Sequence, residues 1–107
     1  MVEKKFNYTV GETKTIEQII LDENVNINHT ILLKDDRLPE HYSNSVVYMI
    51  VARGTVTLAL DEQEEHSYTK GAILNVPYKT KMNVFNKNEE ILELFIVKSP
   101  SPLSYKK

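Results

Sequence analysis

The sequence predicts an all-β protein, a sandwich or closed barrel of short strands, and two observations carry that prediction. Apolar and polar residues alternate at period two over most of the chain, and turn-forming residues punctuate it at close intervals. The segment TIEQIIL (15–21) could show Ile16, Ile19 and Ile20 on one helical face, but its β-branched content favours an edge strand. In 25–33, Val25, Ile27, His29, Ile31 and Leu33 alternate with Asn26, Asn28, Thr30 and Leu32, which reads as a strand burying the first set. Asp35, Asp36, Arg37, Leu38 and Pro39 break the pattern. Strands then follow over 46–52, 55–60, 66–69, 72–76, 81–85 and 91–97. Between them stand Gly54, the charged run 61–65, Gly71, Pro77 and the Asn-rich 86–88. The end, SPSPLSYKK, is too rich in Pro and Ser to continue a central strand and reads as a tail that packs or frays.

With 107 residues the chain is expected to be one domain over 1–107, its core at about 15–98 and its tail at 99–107. A formal charge of −2 gives no electrostatic reason to expect a polyanionic partner, and no segment reads as a recognition helix, so nucleic acid is not expected. The absence of Cys excludes disulfides, thiolate metal sites and a Cys nucleophile. The opening MVEKKFNYTVGETK lacks the apolar core of a signal peptide. The longest apolar run, 46–52, is far below the ~20 residues that span a bilayer. The expectation is a soluble cytoplasmic protein with no membrane partner.

Two stretches carry a more specific pattern. In HYSNSVVYMIVARG (41–54), His41 and Ser43 stand one residue apart, Val47 follows Ser43 by four, and Gly54 follows Val47 by seven. In GAILNVPYKTKMNVFN (71–86), Pro77 follows Gly71 by six, Met82 follows Pro77 by five, and Asn86 follows Met82 by four. This spacing resembles the cupin family. Its first motif is His-x-His, three or four residues, Glu, six residues, Gly; its second is Gly, five residues, Pro-x-Gly, two residues, His, three residues, Asn. His41 matches the first His, Gly54 the closing Gly, and Gly71, Pro77 and Asn86 the frame of the second motif. Ser43, Val47 and Met82 stand where the family has its other metal ligands, and Asp35 and Lys79 replace glycines. The resemblance covers about 31–97 and implies a cupin-type jelly-roll β-barrel, the double-stranded β-helix.

The resemblance also makes one face of the 41–51 stretch the barrel interior. Regular alternation along it puts His41, Ser43, Ser45, Val47, Met49 and Val51 on that face, and Met82 and Val84 join them from 81–85. The expected pocket has a floor of Val47, Met49, Val51, Leu74, Met82 and Val84, a rim of His41, Ser43 and Ser45, and His29 brought inward by its alternation with Ile27 and Ile31. Apolar walls with few polar groups suit a small-molecule ligand. Cupins use several imidazoles and a carboxylate to hold iron, manganese, nickel or zinc. Here one imidazole survives, serine is a weak ligand, valine is none, and a thioether favours soft ions. No metal or other cofactor is therefore expected.

Several residues have a plainer role as well. His41 can be a polar mouth residue or an acid/base group, since imidazole titrates near neutral pH. His29 can be a satisfied core histidine, His66 sits in a solvated acidic turn, and Met49 and Met82 can be core filler. Lys79 and Lys81 lie in the loop of the second motif near the expected mouth, where they would favour an anionic ligand or belong to a mixed-charge surface. Three functions follow: a metal-free small-molecule sensor, carrier or accessory subunit; an isomerase, epimerase or oxygenase using His41; or a structural dimer with a vestigial pocket. The strand 46–52 is apolar on both sides, so its outer face, with Tyr48 and Ile50, needs a cover. A homodimer, common among cupins, would supply one, and residues 1–21 are the alternative.

Overall fold

Backbone amides and carbonyls of an extended chain are satisfied only by neighbouring strands, and the alternating segments pair accordingly. The structure, a computed structural model, describes residues 1–105. Its strands are β1 (Thr15–Leu21), β2 (Asn26–Leu32), β3 (His41–Tyr42), β4 (Val47–Arg53), β5 (Thr55–Leu60), β6 (His66–Thr69), β7 (Ile73–Val76), β8 (Lys81–Phe85) and β9 (Leu92–Lys98). They form a five-stranded sheet in the order β1-β2-β9-β4-β7 and a four-stranded sheet in the order β3-β8-β5-β6. All pairings are antiparallel. The segment TIEQIIL is an edge strand, as its β-branched content predicts.

The core lies between the sheets, where Val47, Met49 and Val51 of β4 and Leu92, Leu94 and Ile96 of β9 meet Val56 and Leu58 of β5 and Met82 and Val84 of β8. The corners that carry the chain from one sheet to the other need special backbone. Gly54, between β4 and β5, has φ +75°, and a Cβ there would lie 2.2 Å from the Ile91 carbonyl oxygen. Gly71 has φ +98° but faces open space. Asp35 (φ 70°) and Lys79 (φ 66°), which stand where the cupin pattern has glycine, keep the left-handed backbone although each carries a side chain. These corners thus hold a backbone that glycine would adopt more easily.

The two ends of the expected inner face behave differently. Pairing along 41–51 is not regular: β3 is two residues long and joins β8 in the four-stranded sheet, while residues 43–46 turn the corner to β4 in the other. From Val47 onward the alternate residues enter the core between the sheets, whereas Ser43 and Ser45, though buried, lie in the corner. In β2 the expected sides are reversed. Asn28 pairs with Ile96 and Thr30 with Leu94, so Asn26, Asn28, Thr30 and Leu32 share the inner face of β9, and Ile27, His29 and Ile31 point outward. The tail packs: Ser101 and Pro102 are buried, and Tyr105 stacks on Tyr78 with ring centroids 4.5 Å apart. Its last two residues, 106 and 107, lie outside the described residues.

Candidate functional site

Where the core thins at one end of the sheets, a cavity of about 350 Å³ remains between them. One wall is apolar and comes from inward positions of β4, β8 and β9: Val47, Met49, Met82, Val84 and Ile96, with Leu38 from the connection before β3. Next to β9 in the same sheet, β1 and β2 carry the lining on with Gln18, Asn28 and Thr30 beside Ile16. His41 and Lys98 complete the lining. Glu17 touches the edge, although its carboxylate is engaged by Thr9 and His29 on the outer side of the sheet.

Of the residues the sequence nominates, His41, Val47, Met49, Met82 and Val84 line this cavity. The other five have different places: Val51 lies in the core with Leu74 packed against it, and Ser43, Ser45 and His29 are engaged elsewhere. Ser43 is buried at the corner before β4, where its hydroxyl donates to the Pro77 carbonyl at 2.6 Å and accepts from the Thr80 amide at 2.8 Å. Ser45 is buried and donates to the Pro100 carbonyl, tying the tail to the same corner. Both hydroxyls hold loops together. His29 is buried on the opposite side of the sheet from the cavity, because β2 presents its polar residues inward.

Around His29 the outer face is built as a closed charge network. Its Nδ1 lies 2.7 Å from Glu17 Oε2 and its Nε2 2.5 Å from Glu93 Oε2. An ionised carboxylate only accepts, so both ring nitrogens donate in this arrangement. Arg53 Nε donates to Glu93 Oε1 at 2.8 Å, and its Nη2 donates to the Gly11 carbonyl at 2.8 Å. Thr9 donates to Glu17 through its amide and its hydroxyl, and the Tyr8 ring packs on His29 and Phe95 at centroid distances of 4.8 and 4.9 Å. Residues 8–11 are thereby strapped over the sheet. The Thr9 amide, then His29, hold the Glu17 carboxyl below its usual range. At Glu93, burial opposes ionisation, but hydrogen bonds from His29 and Arg53 outweigh it and the pKa is lowered.

Lys98 was missed by reading the last strand as ending at Val97. It continues the inward series Leu92, Leu94, Ile96, and that period-two extension was the available signal. Burial pushes its ammonium below the usual lysine value, and Nζ has no hydrogen-bond or ion-pair partner among the described residues. Lys79 and Lys81 do not line the cavity; Lys79 lies over the Tyr78 ring and Lys81 pairs with Glu62 at 3.6 Å. The amide wall of Gln18 and Asn28 was missed for the reason that His29 was misplaced.

The positions that would hold a cupin metal do not fit one. His41 supplies an imidazole whose Nδ1 is bonded to the Pro39 carbonyl at 2.8 Å, Ser43 is committed to two backbone groups, Val47 has no donor, and Met82 is packed in the core. Among the described residues no three His, Cys, Asp or Glu side chains are placed to hold a metal ion.

No family profile matches the chain. It is 43% identical over 103 residues to the uncharacterised protein MJ0764 of Methanocaldococcus jannaschii, covering 95% of this chain and 89% of that protein. The crystal structure of MJ0764, described as an RmlC-like cupin family protein with a double-stranded β-helix fold, superposes with a TM-score of 0.96 at 41% identity, over 100% of this chain and 99% of that one. A cupin superfamily protein from Desulfitobacterium hafniense shares the fold at a TM-score of 0.73 and 12% identity, over 86% and 83% of the two chains. The Cnp3 cupin domain of Schizosaccharomyces pombe does so at 0.72 and 13%, over 85% and 63%. The chain belongs to the cupin family, with the double-stranded β-helix fold of MJ0764 and without a metal-binding residue cluster among its described residues.

Proposed function

We propose that this cupin is a metal-free small-molecule binding protein, a sensor, carrier or accessory subunit that takes its ligand in the barrel. One observation carries the reading: the cavity at the His41 end is unfilled by side chains, falls in the ~300–1,000 Å³ range of ligand pockets at about 350 Å³, and pairs an apolar wall with a polar one. A barrel retained only as a scaffold would be filled and dry, which argues against a vestigial pocket. The test is a metabolite panel screened by thermal shift on protein purified without a metal-affinity tag, with elemental analysis of the same preparation. The reading expects a stabilising ligand and no stoichiometric metal. About one iron, manganese, nickel or zinc per chain, lost in His41→Ala, would overturn it.

An enzymatic role of isomerase, epimerase or oxygenase type is the second reading, favoured by one detail at His41. With Nδ1–H donating to the Pro39 carbonyl, the ring is oriented and Nε2 remains to exchange a proton. Turnover abolished in His41→Ala with ligand binding retained would establish it.

The working unit in this reading is a one-domain cytoplasmic homodimer. No described helix is long and apolar enough to cross a membrane. Tyr48, Ile50 and Ile73 adjoin on the outer face of β4 and β7, and Tyr48 and Ile73 are exposed there, beyond the reach of the Tyr8 strap on His29 and Phe95. An isologous contact through this patch would cover it. Light scattering should return the dimer mass at micromolar concentration, and Tyr48→Glu should return the monomer.

A further inference from the structure

The unpaired cation in the cavity specifies the ligand more closely, and this inference rests on the small-molecule reading above. Lys98 occupies an inward position of β9, between Asn26 of β2 and Val47 of β4, and lines the cavity together with Gln18, Asn28 and Thr30. Of the titratable groups in the lining, Glu17 has its carboxylate turned to Thr9 and His29 across the sheet, and His41 is bonded to the Pro39 carbonyl. Neither pairs with Lys98 Nζ, which is without any partner among the described residues. A half-buried ammonium with no counter-ion is unfavourable, and its site is completed by an anion. The neighbouring amides and hydroxyl are neutral groups able to donate to such an anion. One cation with neutral donors matches a singly charged carboxylate; a phosphate dianion calls for several cations or a fork of guanidinium donors. Beyond the polar wall the cavity offers Met49, Met82 and Val84, an adaptable apolar surface without charge.

We propose that the barrel binds a small amphipathic carboxylate, its head on Lys98 and the amide wall of β1 and β2, its apolar body against Met49, Met82 and Val84. The test uses the full chain with methyl-labelled methionine, so that Met49 and Met82 report occupancy of the cavity by NMR while calorimetry gives affinity. Hexanoate, 1-hexanol and inorganic phosphate are the probes. Hexanoate should shift both methyl signals and bind at least about tenfold more tightly than hexanol, the scale of one charge-assisted hydrogen bond in a partly buried site. Lys98→Met should bring that ratio to about one while hexanol still shifts both methyls, which also shows that the variant is folded. Equal affinities for hexanoate and hexanol in the unaltered protein, or a hexanoate preference surviving in Lys98→Met, would overturn the carboxylate assignment and leave the cavity as a ligand site. Phosphate displacing hexanoate at equal concentration would overturn it in favour of a general anion site. If neither organic probe moves either methyl, the small-molecule reading falls and this proposal with it.

Discussion

The two faces of the five-stranded sheet carry comparable chemistry and treat it in opposite ways. On the outer face the His29 imidazole lies between Glu17 and Glu93, Arg53 closes the network, and residues 8–11 cover it. On the inner face Lys98, Asn28, Thr30 and Gln18 line a cavity, and the lysine has no counter-ion among the described residues. Buried polar groups that are mutually satisfied stabilise one arrangement of the chain. Gln18 and Asn28 share hydrogen bonds with Asn26, whereas the Lys98 ammonium, with no partner among the described residues, is left for something else. The difference teaches that polar content does not locate a binding site; unpaired polar content does.

This contrast can be broken most forcefully from the outer side. His29→Ala leaves two carboxylates facing each other in a covered site, and should lower unfolding stability by about 3 kcal/mol, read as a reduced denaturant midpoint. An unchanged midpoint would show that the network is dispensable and that the faces do not differ in role. Next in size is the corner between the sheets. Gly54→Ala combines a left-handed backbone with a Cβ driven against the Ile91 carbonyl and should cost about 2 kcal/mol. Gly71→Ala has the backbone penalty without the clash and should cost about 1 kcal/mol. Equal losses at the two glycines would mean that conformation alone, not close approach, sets the requirement.

The faces should also separate by pH and by the sign of a substitution. Glu17 and Glu93 are held below their usual value near 4.5, so in the window between folded and unfolded pKa the unfolded chain binds more protons. Their contribution is complete above that value and is lost as pH falls through the lowered ones. Glu93→Gln should flatten this acid limb; a variant that keeps the full slope would assign it to other carboxyls. On the inner face the sign reverses. Burial disfavours the Lys98 ammonium in the folded state, so Lys98→Met should raise the denaturant midpoint slightly near neutral pH, water at the half-exposed group screening most of the effect. Stability should also climb with pH as the folded-state lysine deprotonates before the unfolded one, a climb absent from the variant. Destabilisation by Lys98→Met would make the lysine a structural residue like His29. The smallest effect is expected at Lys79, where Gly would relieve the left-handed strain and stabilise by about 0.5 kcal/mol.

Much of the fold was legible because its determinants are local. The β-branched runs, the turn at Gly54, the stop at Pro77 and the two spaced motifs all act within a few residues of chain, and the strands form where they predict. The apolar half of the cavity was legible too: Val47, Met49, Met82 and Val84 sit on strands whose inward side the motifs define. The rest depended on what lies across the sheet. Alternation dictates that His29 and Asn28 point to opposite sides, but it assigns an inside only when one face is dry and the other wet. Here the strap of residues 8–11 covers the outer face of β2, and a cavity hollows the inner one. The apolar residues therefore face out under cover, and the polar ones face in towards the cavity. Ser43 and Ser45 were misplaced because the chain changes sheets at 43–46, a corner set by contacts with Pro77, Thr80 and Pro100 far along the sequence. Strand period and turn chemistry by themselves determined a sandwich or closed barrel of short strands, and the two spaced motifs supplied its resemblance to a cupin. Only the tertiary structure decided which side of β2 is the inside, and hence that a buried histidine is structural and an unpaired lysine faces the cavity, because sidedness is set by what packs on each face and not by the strand's own sequence.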